Sequence, residues 1–332
     1  MRTTVIGSYP LSYEELGPDA VVRAVEEQIA AGVELVSDGQ TRGDIISIYA
    51  GMIEGMELRA EGTVQSGGHG ARHMDSAVTG EVACGADRMS GWGSMVAGGV
   101  GRRMFISGRI SPRDASMLVG DFRLATATAR GRAGVKAILT GPVTLAFSSV
   151  LDTKVYSGYR DRRLYMDLSG ALLEIARELE RAGAKHLQLD EPYFSIGVPV
   201  LLAREAVENI ALGFRGEVAL HACGDVRRAL DWMLGLKGVR VLSLEFAGAP
   251  QNLEVISREK LEGSGKLLGF GCIDTASERV ESEEEVLGLL RKGASLVGEE
   301  NMVAHPDCGL KGLPLEAARR KLRVLCAAAR SL

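Results

Sequence analysis

A chain of 332 residues with 46% hydrophobic and 25% charged residues has enough apolar content for one large α/β unit. Its formal net charge of -4 speaks against a general nucleic-acid or membrane-surface binder, and no apolar run approaches the roughly eighteen residues of a membrane helix. The opening MRTTVIGSYP has one basic residue and no apolar stretch, so it does not read as a secretory signal, and a cytoplasmic address is expected.

Short β-rich runs alternate with longer amphipathic ones, the pattern of βα units around a parallel sheet. The first predicted strand is Thr3–Gly7, followed by a helix over Asp19–Ala31 that Gly32 stops. The second strand is Glu34–Asp38. Residues 61–111 then break the alternation with the glycine-rich runs SGGHGARH and GWGSMVAGGVGRR. This stretch is expected to be an insertion after the second βα unit, near the mouth of the fold, with a strand pair near 77–83 and 104–109. Six further strands are predicted at 136–140, 186–190, 218–222, 241–245, 267–271 and 301–305, separated by amphipathic helices such as SEEEVLGLLRKG and LPLEAARRKLRVLCAAAR. Eight strands without the insertion predict an α/β fold of one domain over residues 1–332, a single (β/α)8 TIM barrel, and no repeat period competes with it.

In such a barrel the reactive groups collect at the C-terminal ends of the strands. Those ends carry Ile6-Gly7-Ser8, Asp38-Gly39-Gln40, Gly141-Pro142, Asp190-Glu191-Pro192, His221-Ala222-Cys223, Glu245, Asp274 and His305-Pro306-Asp307-Cys308. Residues two apart on an extended strand point to the same side, so His221 and Cys223 can converge on one ion. Glu245 ends the next strand and Cys308 follows the last, and one imidazole, two thiolates and a carboxylate suit tetrahedral Zn2+. The carboxylate is the most replaceable of the four. A thiol substrate could displace Glu245, and a zinc-bound thiol loses its proton near neutral pH.

The segments TTVIGSYP, DGQTRGD, GPVTL, LQLDEP, LHAC, LSLE and HPDCGLKG, in this order along nearly the whole chain, resemble the C-terminal catalytic barrel of the cobalamin-independent methionine synthase family. The likeness is to a short, stand-alone type, since the full-length family has a second barrel. The resemblance implies that His221, Cys223, Glu245 and Cys308 are zinc ligands. It implies that Ile6, Gly7 and Ser8 hold a substrate amino acid, and that Asp190 binds the ammonium of homocysteine, whose methylation gives methionine. Two positions depart from the family pattern. Gln40 stands where the family has a substrate-binding glutamate, and Ala276 stands where it has a histidine proton donor, although Asp274 remains nearby.

Demethylating a methyl-tetrahydropterin expels a poor amine leaving group and calls for a proton, whereas a methyl-cobalt donor does not. Without the histidine, the expected donor is methylcobalamin or a corrinoid protein. Methyl transfer to another thiol, such as coenzyme M, is the alternative that Gln40 allows. A non-catalytic zinc-binding barrel partnering a corrinoid protein is another. Weaker signals fall away: His69 and His73 suit an exposed glycine-rich loop, and GWGSMVAGGVGRR lacks the GK[ST] ending of a phosphate loop. Residues 159–163 read as a solvated turn. Of five cysteines, an odd number that argues against a disulfide framework, Cys84, Cys272 and Cys326 have no ligand-like partners, and Cys326 lies on an apolar helix face.

Overall fold

The computed structural model of the protein describes residues 1–60, 102–196 and 200–332. Its strands are β1 (Arg2–Thr3), β2 (Leu35–Val36), β3 (Ile53–Ala60), β4 (Arg102–Pro112), β5 (Gly134–Val135), β6 (Ala137–Thr140), β7 (Ser149–Leu151), β8 (His186–Asp190), β9 (Glu217–Ala222), β10 (Val239–Glu245), β11 (Leu267–Gly271) and β12 (Met302–His305). Seven of them form one curled parallel sheet in the order β1-β12-β11-β10-β9-β8-β6. β2 pairs in parallel with β5, which continues through Lys136 into β6, and Thr4 makes a parallel bridge to Leu35.

The predicted strands at 186–190 and 267–271 and the helix Asp19–Ala31 are found with those bounds. The first two strands are shorter than expected. Beyond Thr4 and Val36 the main-chain groups turn to side chains: Ser37 Oγ donates to Gly7 O at 2.9 Å, Gln188 Nε2 donates to Ile6 O at 2.7 Å, and the Gln28 amide takes both main-chain groups of Ser37. These bonds satisfy groups that a longer ladder would otherwise have paired.

The expected strand at 104–109 lies within β4. Its partner is β3, antiparallel, which begins at Ile53 and so before the expected boundary at 61; β4 also pairs in parallel with β7. A register shift between Glu54 and Met56 surrounds Gly55, whose φ of 82° and approach to Arg109 O leave no room for a Cβ. The segment 77–83, His69, His73, Cys84 and all of GWGSMVAGGVGRR but its last two residues, Arg102 and Arg103 at the start of β4, lie outside the described residues.

Along the sheet, residues facing the helices are apolar, as with Leu187, Leu189, Leu220, Leu242, Leu244 and Phe270. The alternate positions turn inward and are polar or small: Lys136, Gln188, His221, Ser243, Gly269 and His305. A Cβ on Gly269 would stand 2.6 Å from Ser243 Oγ and 2.7 Å from His305 Nε2, so only glycine fits between those two strands. Cys326 is buried in the core, as its apolar helix face predicted, and Cys272 is buried there too.

Candidate active site

The end of β9 and the residue after it place His221 and Cys223 on one side. His221 Nε2 stands 2.9 Å from Cys223 Sγ, and Cys223 Sγ is 3.2 Å from Cys308 Sγ. The three donor atoms all lie within 4.8 Å of one another. On its far side the imidazole meets Ser243 O through Nδ1 at 3.0 Å. With Nδ1 donating there, Nε2 carries a free lone pair toward the sulfurs, the usual support for a metal-binding histidine. Burial, with His305 nearby, pulls the His221 pKa down to about 3, so the ring is neutral at any physiological pH. Hydrogen bonding to Cys308 and burial push the Cys223 thiol well above its ordinary range. A cation among the three would reverse that push. A buried imidazole with its second nitrogen already anchored and two thiols converging on the first fit zinc by chemistry and by approach.

Glu245 ends β10, beside but outside this group of three. Its Oε2 accepts the N–H of Gly224, the residue after Cys223, at 2.7 Å. The loop after Glu245 is held by Asp307, whose carboxylate accepts from Phe246 N and Ala247 N at 3.1 Å and from Gly248 N at 2.6 Å. Asp307, the residue preceding Cys308, therefore ties the Glu245 loop to the Cys308 loop, although burial drives its carboxyl well above the usual range.

The residues assigned to the amino acid also converge. The Gln40 side chain lies beside the Asp190 carboxylate and favours its charged form, and a Cβ on Gly7 would lie 2.7 Å from Gln40 Oε1. Gln40 holds a left-handed backbone with φ of 45°, its N–H bonded to Asp38 Oδ1 at 3.0 Å. Ile6 O and Asp190 Oδ1 share one donor, Gln188 Nε2, at 2.7 and 2.6 Å. Ser8 O accepts from Leu310 N at 2.8 Å, which brings the first strand's end against the Cys308 loop. Burial raises the Asp190 carboxyl, and Gln188, the Lys136 ammonium and Gln40 oppose that rise.

Asp274 is half-buried and closes a turn, its Oδ1 accepting from Ala276 N at 2.8 Å, while Ala276 itself is exposed. The loop is stapled from behind by Lys321, a fully buried ammonium that donates to Asp274 O at 2.8 Å, to Arg279 O, and to Glu281 Oε2 at 2.9 Å. Two structuring groups, Lys136 and Gln188, escaped the sequence reading, and two more, Glu191 and Asp307, were placed at strand ends but given no role. Glu191 is fully buried and accepts from Val143 N, Thr144 N and Thr144 Oγ1 at 2.9, 2.8 and 2.6 Å. The adjoining sequence GPVT, a helix start without a capping side chain of its own, was the available sign that an acceptor must come from elsewhere.

A family model described as "Cobalamin-independent synthase, Catalytic domain" matches residues 72–331. The chain is 39% identical to a protein named methionine synthase from Methanothermobacter thermautotrophicus, over 99% of each. It is 28% identical to the 5-methyltetrahydropteroyltriglutamate--homocysteine methyltransferase of Streptomyces griseus, covering all of this chain and 42% of that one. The solved B12-independent methionine synthase of Shewanella sp. W3-18-1 superposes with a TM-score of 0.73 at 23% identity, over 99% of this chain and 96% of that one, a likeness of TIM-barrel-like fold. Fold, site and relatives together define a methyltransferase, which sets aside the non-catalytic alternative. The chain belongs to the cobalamin-independent methionine synthase family.

One expectation is corrected by these findings. The methylcobalamin or corrinoid donor inferred from Ala276 does not carry over to a family described as cobalamin-independent, in which the S. griseus relative is named for a methylated pterin. Loss of one proton donor was too thin a basis for choosing the donor, because a neighbouring acid can serve the same step.

Proposed function

We propose that residues 1–332 act as one catalytic unit, a closed eight-stranded (β/α)8 barrel with an insertion at its mouth, that methylates the thiol of homocysteine to give methionine in the cytoplasm. Among the described residues no helix is long and apolar enough to cross a membrane. The observation that carries the proposal is the convergence of His221, Cys223 and Cys308 beside a second cluster of Gly7, Gln40 and Asp190 suited to an amino acid.

His221, Cys223 and Cys308 would hold zinc, with Glu245 the replaceable fourth donor. Bound there, zinc would supply the positive charge that lets a thiol lose its proton near neutral pH. Asp190, aimed by Gln188, receives the ammonium of the amino acid, with the Gln40 amide beside it in place of a second carboxylate. The backbone of Ile6, Gly7 and Ser8 closes the remaining side. The donor in this reading is a methylated tetrahydropterin, the class named for the S. griseus relative, and Asp274 is the acid that protonates the departing amine.

The test crosses homocysteine and coenzyme M as acceptors with methyl-tetrahydropterin and methylcobalamin as donors, in the wild type and in Asp274→Asn. Turnover of homocysteine with the pterin is expected, reduced about 10²–10⁴-fold in Asp274→Asn. Turnover only with coenzyme M would reject the acceptor. Turnover only with methylcobalamin, indifferent to Asp274, would reject the donor and the role of Asp274.

A further inference from the structure

Lys136 is a lysine in the interior of the sheet, between β5 and β6, and only 5% exposed. Burial drags its ammonium pKa down while Asp190 opposes the fall, so its position runs against its own solvation. Its Nζ donates to Val5 O and to Gln188 Oε1. Gln188 is wholly buried and has both remaining bonds assigned, Nε2 donating to Ile6 O and to Asp190 Oδ1. An amide can be turned over in place, exchanging its oxygen and nitrogen. Here a turned amide would set NH2 against an ammonium, and its oxygen against both a carboxylate and a carbonyl. Lys136 thus fixes which end of Gln188 faces the amino-acid site.

We propose that Lys136 is a positioning residue for the substrate's amino group: through Gln188 it orients Asp190 and the Ile6 carbonyl, without itself touching substrate. The proposal rests on the reading that Asp190 takes the ammonium of homocysteine. A second buried lysine supplies the contrast. Lys266 ends on two main-chain carbonyls, Leu236 O at 2.6 Å and Val239 O at 2.7 Å, and leads to no side chain of the site.

The experiment measures dissociation constants by calorimetry on zinc-loaded protein for homocysteine and for 4-mercaptobutanoate, which is homocysteine without its amino group. Wild type, Lys136→Met and Lys266→Met are compared, with kcat, KM and zinc content measured alongside. Lys136→Met should weaken homocysteine about tenfold or more, the factor that losing a hydrogen bond to a charged group amounts to. Binding of 4-mercaptobutanoate, zinc content and kcat at saturating homocysteine should stay within about twofold. Lys266→Met should leave the preference for homocysteine intact. If Lys136→Met does not fold, Lys136→Gln, which removes the charge but keeps a donor, reads the same ratio and should still lower the preference. Equal weakening of both thiols, or an unchanged preference in the Lys136 variant, overturns the role of Lys136 alone. A wild type that binds the two thiols equally would instead remove the Asp190 reading beneath it.

Discussion

Replacing Glu191 by glutamine isolates one buried charge. Burial raises its carboxyl from 4.5 to about 7, against the three hydrogen bonds from Val143 and Thr144 that favour the anion. A group whose folded pKa lies above its unfolded value holds its proton more tightly when folded. Its contribution to stability is therefore complete below about pH 4.5 and is lost as the pH rises through about 7. The rise corresponds to roughly 3 kcal/mol. Glu191→Gln has no such titration. Its amide nitrogen must face either Val143 N or Thr144 N, leaving one buried N–H without an acceptor at a pH-independent cost of about 1–3 kcal/mol. The slope with pH is thus the quantity to read, not the stability at one pH. Denaturant unfolding of both proteins between about pH 5 and 8.5 should show the wild type losing up to roughly 3 kcal/mol relative to the variant. The raised carboxyls of Asp38 and Asp307 are present in both proteins and cancel in the difference, while Asp190, whose charge adds to the rise at Glu191, belongs to the effect being read. Parallel pH curves for the two proteins would show that Glu191 does not titrate in this range and that the account of its burial is wrong.

Purified protein should carry about one zinc per chain, falling far below that in Cys308→Ser; full zinc in the variant would remove Cys308 from the site. Asp190→Asn should weaken homocysteine binding by about 1.5–3 kcal/mol with zinc content unchanged, and an unaltered affinity would end its assignment. Because burial raises the Asp190 carboxyl, wild-type affinity for homocysteine should begin to fall at a higher pH on acidification than an ordinary aspartate would give; calorimetry across that range tests it. Asp307→Ala removes the carboxylate acceptor of Gly248 N and one of the two acceptors of Phe246 N and Ala247 N, which keep Gly271 O, so unfolding free energy should drop by about 1–3 kcal/mol; a loss under about 0.5 kcal/mol would mean water replaces the carboxylate without penalty.

Six of the eight predicted strands needed only small adjustments, because β-branched and leucine runs between glycine or charged stops mark buried parallel strands well. The first two were overestimated: TTVIG and ELVSD have strand composition, but Ser37, Gln28 and Gln188 capture their backbone, and such long-range bonds have no local signature. Ile53–Ala60 was missed because Gly55 and the charges at Glu54, Glu57 and Arg59 hide its alternation, and its partner lies more than forty residues on. The convergence of His221, Cys223 and Cys308 was legible from His221-x-Cys223 and a cysteine after the last strand. Lys136 and Asp307 were not understood, since a lysine at a strand start and an aspartate at a strand end look the same whether they face water or a neighbouring loop.

The adjacency of β1 and β12, Arg2 against Val303 and Thr3 against Ala304, sets a schedule for folding. The first strand finds one of its two neighbours only after almost all of the chain has been made. The same delay governs the proposed zinc site, where Cys223 waits for Cys308, 85 residues later. Contacts this distant close slowly, because the intervening chain must first give up its freedom. On a ribosome, an early His221-x-Cys223 hairpin of ligands would offer only two donors, a weak lodging for any ion. If these residues hold zinc as proposed, its tight uptake is a late event, and in a pulse-labelled synthesis it would time-stamp the pairing of β1 with β12.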